Sequence, residues 1–159
     1  METATEDKTS LHIRRLYEAP IAAVWAAWTD PEQMKQWMGP NDPPREAEVT
    51  MDVRVGGRYR IVMYSPDGET HRVGGVYREV VPNKKLVYTW AWESTPERES
   101  LVTLEFKPSG EGTELVLAHQ RFADTQARDR HQQGWIVCLD RLGRFISHIS
   151  HQSFDHSGE

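Results

Sequence analysis

The stretch DRHQQGWIVCLDRLGRFI, residues 129–146, carries a long helical pattern near the C-terminus. Its apolar side chains recur at i, i+4, i+7, i+11 and i+14, which is the stripe that one helix face needs to meet a core. The stripe comprises Trp135, Leu139, Leu142, Ile146 and Ile149. Asp124 can cap the helix N-terminus. The pattern predicts one helix from about Thr125 to Ile149, on the order of 37 Å long, which is enough to cross a whole sheet.

Six segments before this helix alternate between apolar and polar residues with a period of two, as strands do. They are EAEVTMDV (46–53), RYRIVMY (58–64), HRVGGVYREVV (71–81), LVYTWAW (86–92), LVTLEF (101–106) and TELVLAH (113–119). Short turn signals such as SPDG, residues 65–68, separate them. Short turns predict antiparallel neighbours, and the alternation predicts a sheet with one face against a core.

The N-terminal part predicts one further strand and two short helices. LHIRRLY, residues 11–17, alternates like a strand, and Pro20 can open a helix whose apolar residues continue to Trp28. Asp30 is a good N-cap for a second helix, with Gln33 in a pattern like that of a capping box, and Gly39-Pro40 ends it. The order of elements predicts a single α+β domain over residues 9–150, with tails at 1–8 and 151–159.

Bulk composition restricts the class of protein. The chain has 159 residues, a net charge of −5 and no cluster of Lys and Arg, so we expect no nucleic-acid partner. Its one cysteine cannot form an intramolecular disulfide, and its N-terminus lacks the features of a secretory signal. The longest apolar run is much shorter than the roughly 20 residues of a membrane span. We expect a cytoplasmic protein without membrane insertion, as a monomer or a weak homodimer.

Several blocks of sequence resemble, in the same order, a known family. They are IRRLYEAPIAAVWAAWTDPEQMKQWMGP, VGGRYRIVMYSPDG, GGVYREVVPNKKLVYTWAW, VTLEF, GTELVLAHQRF and RDRHQQGWIVCLDRL. From about Leu11 to Ile149 the chain is similar to the homologues of the activator of the Hsp90 chaperone ATPase, within the START-like (SRPBCC) helix-grip superfamily. The resemblance implies a curved seven-stranded antiparallel sheet around the C-terminal helix, with an apolar cavity between them that the two short helices close at one end.

Four residues of the terminal helix share one face: His131, Gly134, Trp135 and Cys138. As a cavity wall, Gly134 would leave room, Trp135 would stack on a ligand and His131 would supply a polar group. The alternative is packing, in which Gly134 lets the helix approach the sheet and Trp135 fills the core. Cys138 lies among apolar residues, where cysteine behaves as a small hydrophobic side chain rather than a nucleophile.

Two polar residues on the strands are further candidates. His119 follows Leu115 and Leu117 on one face, so it either orients a polar ligand group at the cavity mouth or is a hydrogen-bonded core histidine. Glu79 shares a face with Tyr77, which would make it a buried carboxylate near His119 or an arginine if that face is inward. An outward Glu79 or a structural ion pair is the alternative.

A large set of apolar residues, together with the two histidines, is predicted to line the cavity. The set is Trp28, Trp37, Met38, Tyr59, Ile61, Met63, Tyr88, Trp90, Leu104, Leu117, His119, His131, Trp135, Cys138 and Leu142. No cofactor is predicted. No metal site is predicted either, because His148 and His151 lie in a segment without a rigid frame.

The leading hypothesis is that the domain binds a small hydrophobic or aromatic molecule. Contact with a chaperone is an alternative that rests on the family resemblance; because only about ten residues precede the first predicted strand, we expect the N-terminal domain of the eukaryotic activator to be absent, which weakens this alternative. A cyclase or hydrolase that uses His119, Glu79 or His131 is a second alternative, so enzymatic activity stays open, with binding favoured.

Overall fold

The computed structural model describes residues 9–38, 46–65 and 67–157, and from residue 148 onwards only the backbone is described. The elements are β1 (Leu11–Tyr17), α1 (Ile21–Thr29), α2 (Pro31–Trp37), β2 (Glu48–Met51), β3 (Arg58–Tyr64), β4 (Thr70–Val81), β5 (Lys85–Trp92), β6 (Ser100–Ser109), β7 (Gly112–Gln120) and α3 (Thr125–Ser157). The predicted order of strand, two short helices, six strands and long helix is therefore confirmed. The predicted tail at residues 1–8 and the end of α2 at Gly39-Pro40 lie outside the described residues.

The seven strands form one antiparallel sheet in the order β1-β7-β6-β5-β4-β3-β2. The last six strands are a meander, as the short turns predict, and β1 closes the far edge by pairing with β7, with Leu11 opposite His119. In the β3–β4 turn, Gly68 has a φ of +89° and donates its N–H to the Ser65 carbonyl at 3.0 Å. This is the positive-φ turn predicted for SPDG.

The short helices begin where their sequence predicts. The Asp30 carboxylate accepts the Glu32 N–H at 3.0 Å and so caps α2, whose first residue is Pro31. The capping box is not completed, because the Gln33 amide lies 3.5 Å from the Asp30 carboxylate and the Asp30 N–H is already bonded to the Ala26 carbonyl. The Asp30 N–H, which a capping box would bond to the Gln33 side chain, is therefore already used at the C-terminus of α1.

Strand β4 bends at an irregularity in its pairing with β5. The register shifts between Tyr77 and Glu79, so Tyr77 is buried while Glu79 is exposed beside Lys85 at 3.6 Å. The possibility of an inward Glu79 is thus excluded, since the bulge reverses the facing that strict alternation assumes. Close by, a Cβ at Gly75 would lie 2.0 Å from the Thr89 carbonyl oxygen, so only glycine fits at this bend.

The long helix α3 packs into the core along residues 139–146. Leu139, Leu142 and Ile146 are buried, as the stripe predicts, and the Leu139 carbonyl accepts a hydrogen bond from the Tyr17 hydroxyl at 3.0 Å. Asp124 caps the helix through the Ala127 N–H at 2.8 Å. The helix continues to Ser157, beyond the predicted end at Ile149 and through most of the segment predicted as a tail.

Two tryptophans of the short helices join this core. Trp28 and Trp37 meet edge to face, with ring centroids 4.7 Å apart, and the Trp37 indole donates to the Ala27 carbonyl at 3.1 Å. Trp28 also lies 5.9 Å from the ring of Trp135. The helices α1 and α2 therefore fill one end of the space between the sheet and α3, and any open space has to lie elsewhere.

Candidate ligand-binding site

A cavity of about 790 Å³ lies between the N-terminal half of α3 and strands β3 to β5. Its volume is within the range of roughly 300–1,000 Å³ that is typical of small-molecule sites. The lining comprises Met38, Met63, Thr70, His71, Arg72, Trp90, Trp92, Glu93, Ser94, Thr95, Arg98, Ser100, Phe122, Ala123, Ala127, Arg130, His131, Gly134, Trp135 and Cys138. Apolar and aromatic residues form its inner part, whereas the polar residues come mainly from the loop after β5 and from the first turns of α3.

The inner wall of the cavity consists of buried side chains, several of which are polarisable and conformationally adaptable. Met38, Met63, Trp90, Trp135 and Cys138 are each less than a tenth exposed. The Cys138 thiol lies 3.9 Å from the Met38 sulfur, so two polarisable groups meet at the base. Methionine side chains adapt to irregular shapes, which suits a wall that has to fit a ligand.

Gly134 provides the room in this wall. A Cβ built at Gly134 would have no heavy atom within 4 Å apart from its own helix backbone and chain neighbours, although the residue lies inside α3. The packing explanation, in which glycine lets the helix approach the sheet, is therefore wrong for this position. A glycine inside a helix costs about 1 kcal/mol relative to alanine, and no packing contact here requires it.

His119 is the centre of a buried hydrogen-bond chain. The Trp135 indole N–H donates to His119 Nδ1 at 3.0 Å, so Nε2 carries the imidazole proton and donates to Ser100 Oγ at 2.7 Å. Ser100 in turn donates to the Trp90 carbonyl at 3.0 Å. Burial, followed by the nearby His131, holds the pKa of His119 well below its usual value, so the ring is neutral.

His131 has the opposite tautomer. Its Nδ1–H donates to the Ala127 carbonyl at 2.7 Å, and its Nε2 accepts the Trp92 indole N–H at 2.8 Å. Burial lowers the pKa of His131, the hydrogen bond to Ala127 opposes this shift, and the positive charge of Arg130 adds to it. Both nitrogens are thus occupied in a neutral ring.

These two indole–imidazole pairs connect the first half of α3 to the sheet. The Trp135–His119 pair reaches β7 and the Trp92–His131 pair reaches β5. Phe122 contacts both imidazoles, with centroids 4.2 Å from His119 and 4.8 Å from His131, and the two imidazole centroids are 5.3 Å apart. His131 and Trp135 of these pairs also line the cavity, which therefore lies beside both connections.

The arrangement does not provide proton-transfer chemistry at the candidate catalytic residues. Both ring nitrogens of His119 and of His131 are engaged by protein groups, and Glu79 is exposed and paired with Lys85. His119 is completely buried and is a hydrogen-bonded core histidine, so its predicted place at the cavity mouth is wrong. Among the described side chains, no group of three or more His, Cys, Asp or Glu is arranged to hold a metal ion. The side chains of His148 and His151 lie outside the described residues.

The predicted lining residues divide into two groups. Met38, Met63, Trp90, His131, Trp135 and Cys138 line the cavity. The others are buried in the core and do not line it: Trp28, Trp37, Tyr59, Ile61, Tyr88, Leu104, Leu117, His119 and Leu142. The periodic pattern identified the inward face correctly, but α1, α2 and residues 139–146 of α3 pack against most of that face.

The lining residues that the sequence did not reveal come from β4, from the ends of β5 and β6 with the loop between them, and from the start of α3 with the segment before it. Thr95 and Arg98 lie in the loop between β5 and β6, and Arg130 and Phe122 lie at the start of α3 and just before it. No periodicity marks a loop, so these residues carried no signal. Trp92 was detectable, because it continues the alternation of Tyr88 and Trp90 along β5.

A curved antiparallel sheet around a long C-terminal helix, with two short helices closing one end, defines a START-like helix-grip domain. The chain belongs to the family described as activator of Hsp90 ATPase homolog 1-like protein, whose family model matches residues 18–147. Within the described ranges, no helix combines the length and the apolar content needed to cross a bilayer.

Solved structures support the same assignment. An uncharacterised protein from Rhizobium leguminosarum is 31% identical, with a TM-score of 0.74 over 87% of this chain and 94% of that one. A protein from Rhodobacter sphaeroides is 26% identical, with a TM-score of 0.75 over 91% and 95% of the two chains. CalU16 from Micromonospora echinospora is 29% identical, with a TM-score of 0.67 over 90% and 79%. No curated protein matches this chain.

Proposed function

We propose that this protein binds a small hydrophobic or aromatic molecule in the cavity between α3 and strands β3 to β5. The observation that carries the proposal is the cavity of about 790 Å³, whose inner wall consists of buried aromatic and sulfur-containing side chains, with the exposed helical Gly134 at its edge. A glycine that packing does not require lowers helix stability, and space for a ligand explains its presence.

The side chains that line the inner part of the cavity favour an apolar ligand. Trp90 and Trp135 have centroids 5.3 Å apart and present aromatic surface, while Met38 and Met63 can adjust to its outline. Burying an apolar ligand surface stabilises the complex by about 25 cal/mol per Å², from which the cost of immobilising the ligand has to be subtracted. Both histidines have their nitrogens satisfied within the protein, so binding has no unpaired imidazole to desolvate.

The test is titration with N-phenyl-1-naphthylamine, a neutral aromatic probe whose fluorescence rises in apolar surroundings. We expect saturable binding at one site, and we expect Gly134→Phe to weaken it at least tenfold by filling the cavity. Gln133→Phe is the matched control, because Gln133 is exposed, adjacent and outside the lining. Gly134→Leu serves as a smaller second variant, and thermal unfolding checks that each variant is folded.

Two outcomes would reject the proposal. One is wild-type protein that shows no saturable binding of the probe at any concentration below its solubility limit. The other is a folded Gly134→Phe variant that binds the probe as well as Gln133→Phe does. In either case the space in front of Gly134 would not be a binding site for apolar molecules.

The chaperone contact stays a prediction that rests on the family description alone. Its measurement is the ATPase rate of Hsp90 with and without this protein. An unchanged rate, together with no binding at micromolar concentration, would remove it.

A further inference from the structure

We propose that the ligand is an amphipathic organic anion, whose apolar body occupies the cavity and whose acidic group lies between Arg98 and Arg130. This inference rests on the proposed function and names the ligand class for the same site. The two guanidinium groups belong to separate elements, the loop between β5 and β6 and the second turn of α3. The fold brings them to the rim of one cavity although they are distant in sequence.

Neither arginine has a described partner for its charge. Within residues 9–38, 46–65 and 67–147, no ion pair or side-chain hydrogen bond engages Arg98 or Arg130, whereas the neighbouring Arg128 is paired with Asp129 at 2.9 Å. Arg130 lies one turn before Gly134, which places it on the same side of α3 as the open space. Its charge reaches the cavity wall, since it contributes to the lowered pKa of His131.

The other charged residues along the cavity do not compete for an anion there. Arg72 is among the lining residues, but it alternates with the inward-facing His71 and Val73 along β4, so its side chain leaves the strand on the opposite face of the sheet. Glu93 follows the inward-facing Trp92, and its carboxylate is paired on that opposite face with Arg60 at 2.6 Å. Glu97 and Glu99 flank Arg98 in the chain but do not line the cavity.

Three arginines and one glutamate line the cavity, in a protein whose net charge is −5. The net charge of −5 repels anions at long range. Two arginines without partners therefore attract an anion only when it is within about one Debye length of them. Guanidinium groups bind carboxylate, sulfonate and phosphate oxygens in paired geometry. Beside an apolar cavity, they select a molecule with a hydrophobic body and an acidic end over a neutral molecule of the same shape.

The experiment compares two probes that share one skeleton. 8-Anilinonaphthalene-1-sulfonate carries the same rings as N-phenyl-1-naphthylamine and adds a sulfonate. We expect Arg98→Gln and Arg130→Gln each to weaken binding of the sulfonate by roughly twofold to fivefold, and the double variant to weaken it at least fivefold. Binding of the neutral probe should stay within twofold of wild type in all three variants.

The matched control is Arg144→Gln, because Arg144 is exposed on the same helix and outside the cavity lining. It should leave both probes unchanged. Raising the salt concentration should weaken binding of the sulfonate to wild-type protein and have less effect on the double variant. Displacement of the sulfonate by the neutral probe shows that both occupy the cavity.

The outcomes separate this inference from the proposed function. If the neutral probe binds but the double variant retains its affinity for the sulfonate, the arginines do not recognise an acidic group and this inference is wrong. Equal losses for both probes would mean that the arginines have a structural role, which also overturns it. If neither probe binds wild-type protein, the proposed function fails as well.

Discussion

Two glycines of α3 should respond in opposite ways to the same substitution. A Cβ at Gly134 would meet open space, whereas a Cβ at Gly143 would lie 3.3 Å from the Cε1 atom of Tyr17. Both residues are inside the helix, so alanine brings each the same gain in helix propensity, about 0.8–1.0 kcal/mol. The difference in free energy of unfolding between the two variants therefore reports how much space the added methyl group has at each position.

For Gly134→Ala we expect the full gain, a free energy of unfolding about 1 kcal/mol higher, which corresponds to a rise of roughly 2–4 °C in Tm. For Gly143→Ala the ring of Tyr17 has to move to make room for the new methyl group. Tyr17 is buried and its hydroxyl donates to the Leu139 carbonyl at 3.0 Å, so a shift of the ring by a few tenths of an ångström strains that bond. Overpacking of this kind costs about 1–3 kcal/mol, which cancels or exceeds the gain.

The assay is urea unfolding followed by tryptophan fluorescence, with the slope against denaturant checked for equality among the variants. The order expected is Gly134→Ala above wild type, and Gly143→Ala equal to wild type or below it. If Gly143→Ala stabilised the protein as much as Gly134→Ala, Tyr17 would not constrain that position. If Gly134→Ala destabilised the protein, the cavity would not extend to the backbone of α3.

Further predictions concern stability. Leu142→Ala should lower the free energy of unfolding by about 2–5 kcal/mol, because Leu142 is fully buried. Val137→Ala, on the exposed side of α3, should change the free energy of unfolding by less than about 0.5 kcal/mol. Equal losses would mean that packing of α3 against the sheet does not stabilise the protein. Burial lowers the pKa values of His119 and His131, so the unfolded chain binds more protons and stability should fall as the pH drops below about 6.5. Urea unfolding at several pH values should show a shallower fall for His119→Gln, and an unchanged fall would mean that His119 is not the buried neutral group described. Asp30→Ala should cost about 1 kcal/mol through the lost cap of α2, while Asp30→Asn should retain most of the stability; circular dichroism melts compare the two, and similar losses would contradict a capping role.

The regular elements could be predicted because each leaves a periodic trace in the chain. The stripe of Leu139, Leu142 and Ile146 predicted the buried face of α3, and period-two alternation predicted each strand of the meander. The sequence left undecided whether Glu79 faces the core or the solvent. A bulge interrupts the alternation of a strand, and the face on which later residues lie depends on which residue is skipped. The continuation of α3 to Ser157 was missed because the last residues are polar and carry no stripe.

The candidate site could be predicted only in part. The face shared by His131, Gly134, Trp135 and Cys138 follows from helical spacing, and all four residues line the cavity. The tautomers do not follow from spacing, because they depend on Trp92 for His131 and on Trp135 for His119, each of which lies on another element. Likewise, no pattern within the loop that carries Arg98 relates it to Arg130.

Sequence alone determined the set of inward-facing side chains and the order of the elements, since hydrophobic burial acts on each helix and strand through its own period. Tertiary structure decided which of those side chains pack against one another and which face empty space. That outcome depends on neighbours from other elements: the Trp135–His119 and Trp92–His131 pairs join α3 to the sheet beside the cavity, while Leu139 and Leu142 are packed in the core. The period of a single helix or strand carries no information about these neighbours.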